Sequence, residues 1–199
     1  MTKARTEAFS DGVIAILITI MVLDLKVPEG SGWHSLRPMI AVLLKYALSY
    51  VFLGIYWNNH HHMFHLVTRV TGGILWANLH LLFWLSLVPF VTSWMAEHPE
   101  DALPTALYGV VLLLAAIAWT ILQTVIVKTQ GSGSTLAAAL GDDTKGRMSA
   151  LLYVLAIALA FVHRWIADGI YLTVALMWLV PDRRFEAAVS DPSKPHTAH

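Results

Sequence analysis

Four histidines fall within six residues of this 199-residue chain, His60, His61, His62 and His65 in the run IYWNNHHHMFH. On a helix His61 and His65, four apart, share a face, and two such imidazoles could hold zinc. No acidic residue stands beside them as a general base and there is no HExxH, so metallohydrolase chemistry lacks its parts. The cluster reads instead as interfacial histidines packed beside another helix, with incidental zinc affinity; titration near neutrality would also suit pH sensing. The other reactive types lie inside strongly apolar sequence: Ser10, Asp11, Thr19 and Asp24 near the start, and His80 further on. A carboxylate on a membrane helix costs about 2.5–3.5 kcal/mol at the bilayer centre and less near the ends. Asp11 must therefore face protein and find a donor. Arg5, Arg69, the cluster at 58–65, Trp76, Asn78 and His80 are available. A peg between helices outweighs a proton relay for Asp11. The Thr19 hydroxyl has a local partner in its own helix, three or four residues back. His80 reads as a hydrogen-bonded core residue, Asp168 and Arg164 as caps of the last hairpin, and Asp142 and Asp143 with Lys145 and Arg147 as a solvated helix start.

The elements that carry these residues are membrane helices. Apolar residues make up 57% of the chain and charged residues 13%, with a net charge of zero. A soluble fold would lack the polar surface to cover such a core. Balanced charge argues against nucleic acid, and the absence of cysteine removes disulfides and thiol chemistry. The first apolar run is too long for a signal peptide and contains Asp11. A spanning helix needs about 20 apolar residues, and six candidates result: 9–27, 39–57, 74–95, 104–127, 148–163 and 166–180. The last two are short and joined by HRWIADG, as in a tight helical hairpin. Turn signals separate the spans: PEGSGW, EHPED and KTQGSGSTLAAALGDDTKGR. Residues 1–184 thus form one six-helix membrane domain, and 185–199 a polar, proline-bearing tail. Strand-like alternation is absent, so no barrel is expected.

Lysine and arginine set the orientation. The N-terminus, the second and fourth connectors and the tail carry nine of them; the opposite side carries Lys26, Arg37 and Arg164. That asymmetry, with an even helix count, puts both termini in the cytoplasm.

At about 100° per residue the first span has two faces. Arg5, Phe9, Gly12, Ile20, Leu23 and Val27 lie within about 40° of Ile16, and Thr19 about 60° to one side. Asp11 lies about 140° from Ile16 and Ser10 about 120° on the other flank. One face is an apolar stripe with a single hydroxyl; the other, near the cytoplasmic end, holds Ser10 and Asp11. Periodicity does not distinguish a stripe facing lipid or core from one lining a pore.

The segment RTEAFSD, Arg5 with Phe9, Ser10 and Asp11, followed by GVIAILITIMVL, resembles the signature of the endosomal and lysosomal potassium channel family, transmembrane protein 175. IYWNNHHHMF resembles that family's tyrosine–tryptophan–histidine segment, and LVPDRR its closing residues. In length and helix count the likeness covers nearly the whole chain and is strongest to prokaryotic members. It implies six helices, cytoplasmic termini, a cell-membrane location and a homotetramer around a pore lined by the first helix. It implies potassium selectivity from an apolar constriction at Ile16, Ile20 and Leu23, with Thr19 as an adjoining hydroxyl layer. Arg5, Phe9, Ser10 and Asp11 would pack helices behind the pore, with His61, Trp76, Asn78 and His80 as the helix-packing network. Potassium is the permeant ion, and no cofactor, metal, nucleic acid or soluble partner is implied. A narrow apolar bore can also gate by excluding water. No TVGYG filter exists here, and neither Gly72-Gly73 nor the GSGS at 131–134 substitutes for one. The run of three histidines, completed by His62, departs from the family pattern.

The competing reading is a proton- or cation-coupled secondary transporter using Asp11, Asp24 and His80; the sequence shows no repeat and no broken helix pair to support it. An intramembrane histidine metalloenzyme ranks last, lacking a nucleophile and a full ligand set. No enzymatic activity is expected.

Overall fold

The computed structural model describes residues 2–37, 39–131 and 143–179, and all regular structure among them is helical. Helix α1 spans Lys3–Ile20, its start capped by Thr2, whose hydroxyl accepts from the Arg5 backbone N–H. The helix tightens into a 3-10 turn over Met21–Asp24. It ends at Asp24, short of the expected 27, and Pro28 disfavours helical geometry at Val27, the residue before it. A short α2, Trp33–Leu36, lies in the loop. Helix α3 runs Met39–His65, eight residues past the expected end at Trp57. The polar residues after Trp57 do not end it, because a helix needs only its own backbone bonds to continue.

The third span is two helices, α4 Gly72–Ser86 and α5 Val88–Glu97. Pro89 in the first turn of α5 has no N–H to continue the ladder, so the chain breaks at Leu87. The sequence reading saw no broken helix; this one is a proline break. Helix α6, Ala102–Gln130, ends at Gly131 with φ of 93°. Helices α7, Thr144–Ala160, and α8, Arg164–Leu179, form the expected hairpin. Asp143 caps α7 by accepting from Gly146 N at 3.0 Å. Arg164 pairs with Glu100 at 2.6 Å, which ties α8 to the α5–α6 connector rather than capping its own hairpin. Among the described residues, four stretches are long and apolar enough to span a membrane: Lys3–Asp24, Met39–His65, Gly72–Glu97 and Ala102–Gln130. With 17 and 16 residues, α7 and α8 fall below the usual length of about 20. The tail expected from 185 lies outside the described residues.

The core lies where α3, α6, α7 and α8 meet. Phe52, Tyr108, Tyr153 and Tyr171 pack there with ring centroids 5.2–6.5 Å apart. Gly109 makes the α6–α8 approach possible, since a Cβ at that position would collide with the Tyr171 hydroxyl. Tyr171 in turn donates to the Thr105 carbonyl at 2.9 Å. Helix α1 packs at the edge of this body against α3, α4 and α5. One of its faces is therefore held by protein and the other is left open.

Candidate ion-conducting helix and the network behind it

The two faces of α1 separate cleanly. Thr6, Ser10, Ile14, Leu17 and Met21 are buried against the body, at helical spacing. Arg5, Phe9, Gly12, Ile16, Thr19, Ile20 and Leu23 are all exposed. Ile16 is 62% exposed and Leu23 79%. Among the described residues, the stripe drawn from periodicity is thus an exposed surface.

Thr19 has a defined polarity within that surface. Its hydroxyl donates to the carbonyls of Ala15 and Ile16, each at 3.0 Å. The proton is committed to the helix backbone, and the oxygen lone pairs are what the side chain can offer outward.

Behind the stripe runs a buried polar chain. Ser10 Oγ donates to the Thr6 carbonyl at 2.9 Å. Asn78 Nδ2 on α4 donates to Ser10 Oγ at 2.8 Å. Asn78 Oδ1 then meets His60 Nε2 on α3 at 2.8 Å. With the Asn78 amide nitrogen spent on Ser10, its oxygen must accept, so His60 carries its proton on Nε2. His60 Nδ1 is buried without a partner, and the ring stacks on Phe64 at 4.3 Å. Ser10, Asn78 and His60 are each at most 2% exposed. Hydrogen bonds between membrane helices are worth about 0.6 kcal/mol on average, and here three helices share a connected set.

Asp11 belongs to a second, wetter contact. Its Oδ1 accepts from Trp57 Nε1 at 3.1 Å, and Trp57 stacks on His61. The four signature residues therefore divide. Ser10 and Asp11 reach α3 and α4, while Arg5 and Phe9 lie on the exposed stripe. The expected network divides as well. Asn78 is its buried centre and His61 lies near Asp11. Trp76 is 76% exposed, and His80 is exposed and accepts from Trp84 at 2.9 Å. The sequence reading missed His60, Trp57 and Thr6 as partners. It had placed His60 in a generic cluster, and only the register of α3 against α4 singles it out. Lys45, also buried, donates to the Met95 carbonyl at 2.6 Å. Beside it, Thr92 donates to Ser49, which bonds Tyr108.

Asp11, Asp24 and His80 do not form one ionisable relay. Asp11 bonds Trp57, His80 bonds Trp84 and Asp24 is exposed; among the described residues no hydrogen bond or ion pair joins the three. Nor does any group of three or more His, Asp or Glu side chains converge as a metal site among those residues.

The family model for the endosomal/lysosomal potassium channel TMEM175 matches residues 5–89, the stretch that holds the exposed stripe and the whole polar chain. Potassium channel HX13_20290 of a Chryseobacterium species is 53% identical over 96% of this chain and all of its own length. Potassium channel B446_29190 of Streptomyces collinus is 35% identical over 80% of this chain and 83% of its own. The crystal structure of a lysosomal potassium-selective channel TMEM175 homologue from Chamaesiphon minutus superposes with a TM-score of 0.75 at 28% identity, over 90% of this chain and 97% of that one. Stripe, network, full-length likeness and shared fold lead to one assignment: the chain belongs to the endosomal/lysosomal potassium channel TMEM175 family, a family of ion channels rather than enzymes.

Proposed function

We propose that this protein conducts potassium passively across a cell membrane, through a pore that several copies build from their α1 helices. The exposed stripe carries the reading. Ile16, Ile20 and Leu23 form an apolar surface on a long helix that packs at the edge of the body, and Thr19 interrupts it with lone pairs only. A single chain cannot enclose a bore with one helix; closed symmetry supplies the rest, and four copies give each α1 two like neighbours. In that ring the isoleucines and Leu23 form a constriction narrow and apolar enough to gate by dewetting. The Thr19 oxygens replace part of the hydration shell of a potassium ion beside it. Ser10 and Asp11 hold α1 at its depth and rotation, and the distribution of positive residues supports cytoplasmic termini. The likeness to relatives named potassium channels supports the ion.

The test is flux into liposomes containing the purified protein, for wild type and Ile16→Asn. Wild type is expected to pass potassium in preference to sodium, without saturation and without a second ion. Ile16→Asn is expected to leak sodium. A variant with wild-type selectivity would move the constriction off Ile16. Flux that saturates and requires a proton gradient would replace the channel with a carrier.

A further inference from the structure

Trp57, His61 and His65 follow one another along one side of α3 at successive i, i+4 positions. The Trp57 ring stacks on His61 at 6.1 Å and 26°. The His61 and His65 rings stand edge to face at 4.4 Å and 83°, and their Nε2 atoms face each other at 3.0 Å. Helix α1 holds this ladder at both ends. Asp11 accepts from Trp57 at 3.1 Å, and Lys3 Nζ donates to the His65 carbonyl at 2.9 Å.

Between two neutral imidazoles that gap holds one proton, donated by one Nε2 and accepted by the other. It also nearly fits something else. Two nitrogens bound at about 2.0–2.1 Å to a tetrahedral divalent ion stand about 3.3 Å apart. Opening the pair by a few tenths of an ångström would exchange the proton for a metal. The helix fixes the spacing, so neither ring requires loop ordering to chelate. Imidazole ligands suit zinc, copper and nickel rather than magnesium or calcium. His61 is half-buried and His65 exposed, which leaves an open side for the ion to arrive and for water to complete its shell.

We propose that His61 and His65 form a two-imidazole site for a zinc-class divalent ion, and that its occupation fastens the cytoplasmic end of α1 to α3 and slows conduction. The metal fixes both rings. The His61 ring carries the Trp57 stack that holds Asp11, and the backbone carbonyl that holds Lys3 belongs to His65. The binding half stands on the site alone; the conduction half rests on α1 being the conducting helix.

Full-length protein in detergent is titrated calorimetrically with zinc chloride and with nickel chloride. One ion per chain is expected, with His61→Gln and His65→Gln each weakening binding about tenfold or more and His62→Gln binding as wild type does. Unchanged affinity in both His61→Gln and His65→Gln overturns the site. In liposomes, micromolar zinc is expected to slow potassium flux through wild type severalfold and to leave the flux through His65→Gln at that variant's own metal-free rate. Zinc that binds at these residues yet leaves flux unchanged overturns the coupling. A wild type that passes no potassium with or without metal strikes the conducting-helix reading, and the titration still decides the site.

Discussion

Asn78 on α4 donates to Ser10 on α1 at 2.8 Å, with both side chains almost fully buried. The bond has a forced direction. Ser10 spends its proton on the Thr6 carbonyl, so its oxygen is free only to accept. The rotation of α1 about its own axis is thereby tied to α4, and through His60 to α3. Rotation decides which residues the helix presents outward, so this bond sets where Ile16 points.

Ser10→Ala leaves the Asn78 amide N–H buried without an acceptor, which costs about 1–3 kcal/mol. The expected result is a lower melting temperature for the detergent-solubilised protein, by several degrees. Molecules that remain folded should keep their preference for potassium over sodium. An unaltered melt would mean that the bond is absent in the assembled protein.

Asp11 and Trp57 should behave as a coupled pair. Asp11→Leu and Trp57→Phe remove opposite ends of one hydrogen bond. The double variant is expected to be less damaged than the sum of the singles, with a coupling of about 0.5–3 kcal/mol. Chemical denaturation of the four proteins measures it, and strict additivity would dissolve the pair.

At Thr19 the prediction separates shape from polarity. Valine keeps the branched shape and loses the oxygen; serine keeps the oxygen. Thr19→Val is expected to reduce the ratio of potassium to sodium permeability in bilayer recordings severalfold, while Thr19→Ser retains most of it. Equal ratios in both variants would remove the hydroxyl from ion selection.

Gly109→Val forces a side chain into the space of the Tyr171 hydroxyl. Overpacking of this kind costs about 1–3 kcal/mol. The matched control is Gly54→Ala on α3, where a Cβ meets nothing within 4 Å and the better helix former replaces the worse. Thermal melts of the two should move in opposite directions.

Much of α1 was readable because its information is local. A period of 3.6 residues sorts Ser10 and Asp11 from Phe9, Ile16, Ile20 and Leu23 without any knowledge of neighbours. In the structure Ser10 is buried, Asp11 half-buried and the four apolar residues exposed. What periodicity lacks is the register between helices. Asn78 and His80 are two residues apart on α4, with similar reasons to be kept, yet one is the centre of a buried chain and the other is exposed beside Trp84. His60 and His61 are adjacent and face different partners for the same reason. Helix ends were illegible where hydropathy and hydrogen bonding part company. α3 continues through Asn58 and the histidines because their backbone bonds are as good as those of leucine. Pro89 broke the third span at a residue that apolar counting scores as harmless.

The commitment of the Thr19 proton to Ala15 and Ile16 has a consequence for the sign of the permeant charge. A hydroxyl free to rotate would turn its hydrogen toward chloride as readily as its oxygen toward potassium. Held by two carbonyls in the proposed pore, each Thr19 would show a passing ion only the negative end of its dipole. A ring of such groups would repel anions with no carboxylate in the bore, and its charge discrimination would stay constant as pH varies, because nothing in the ring titrates.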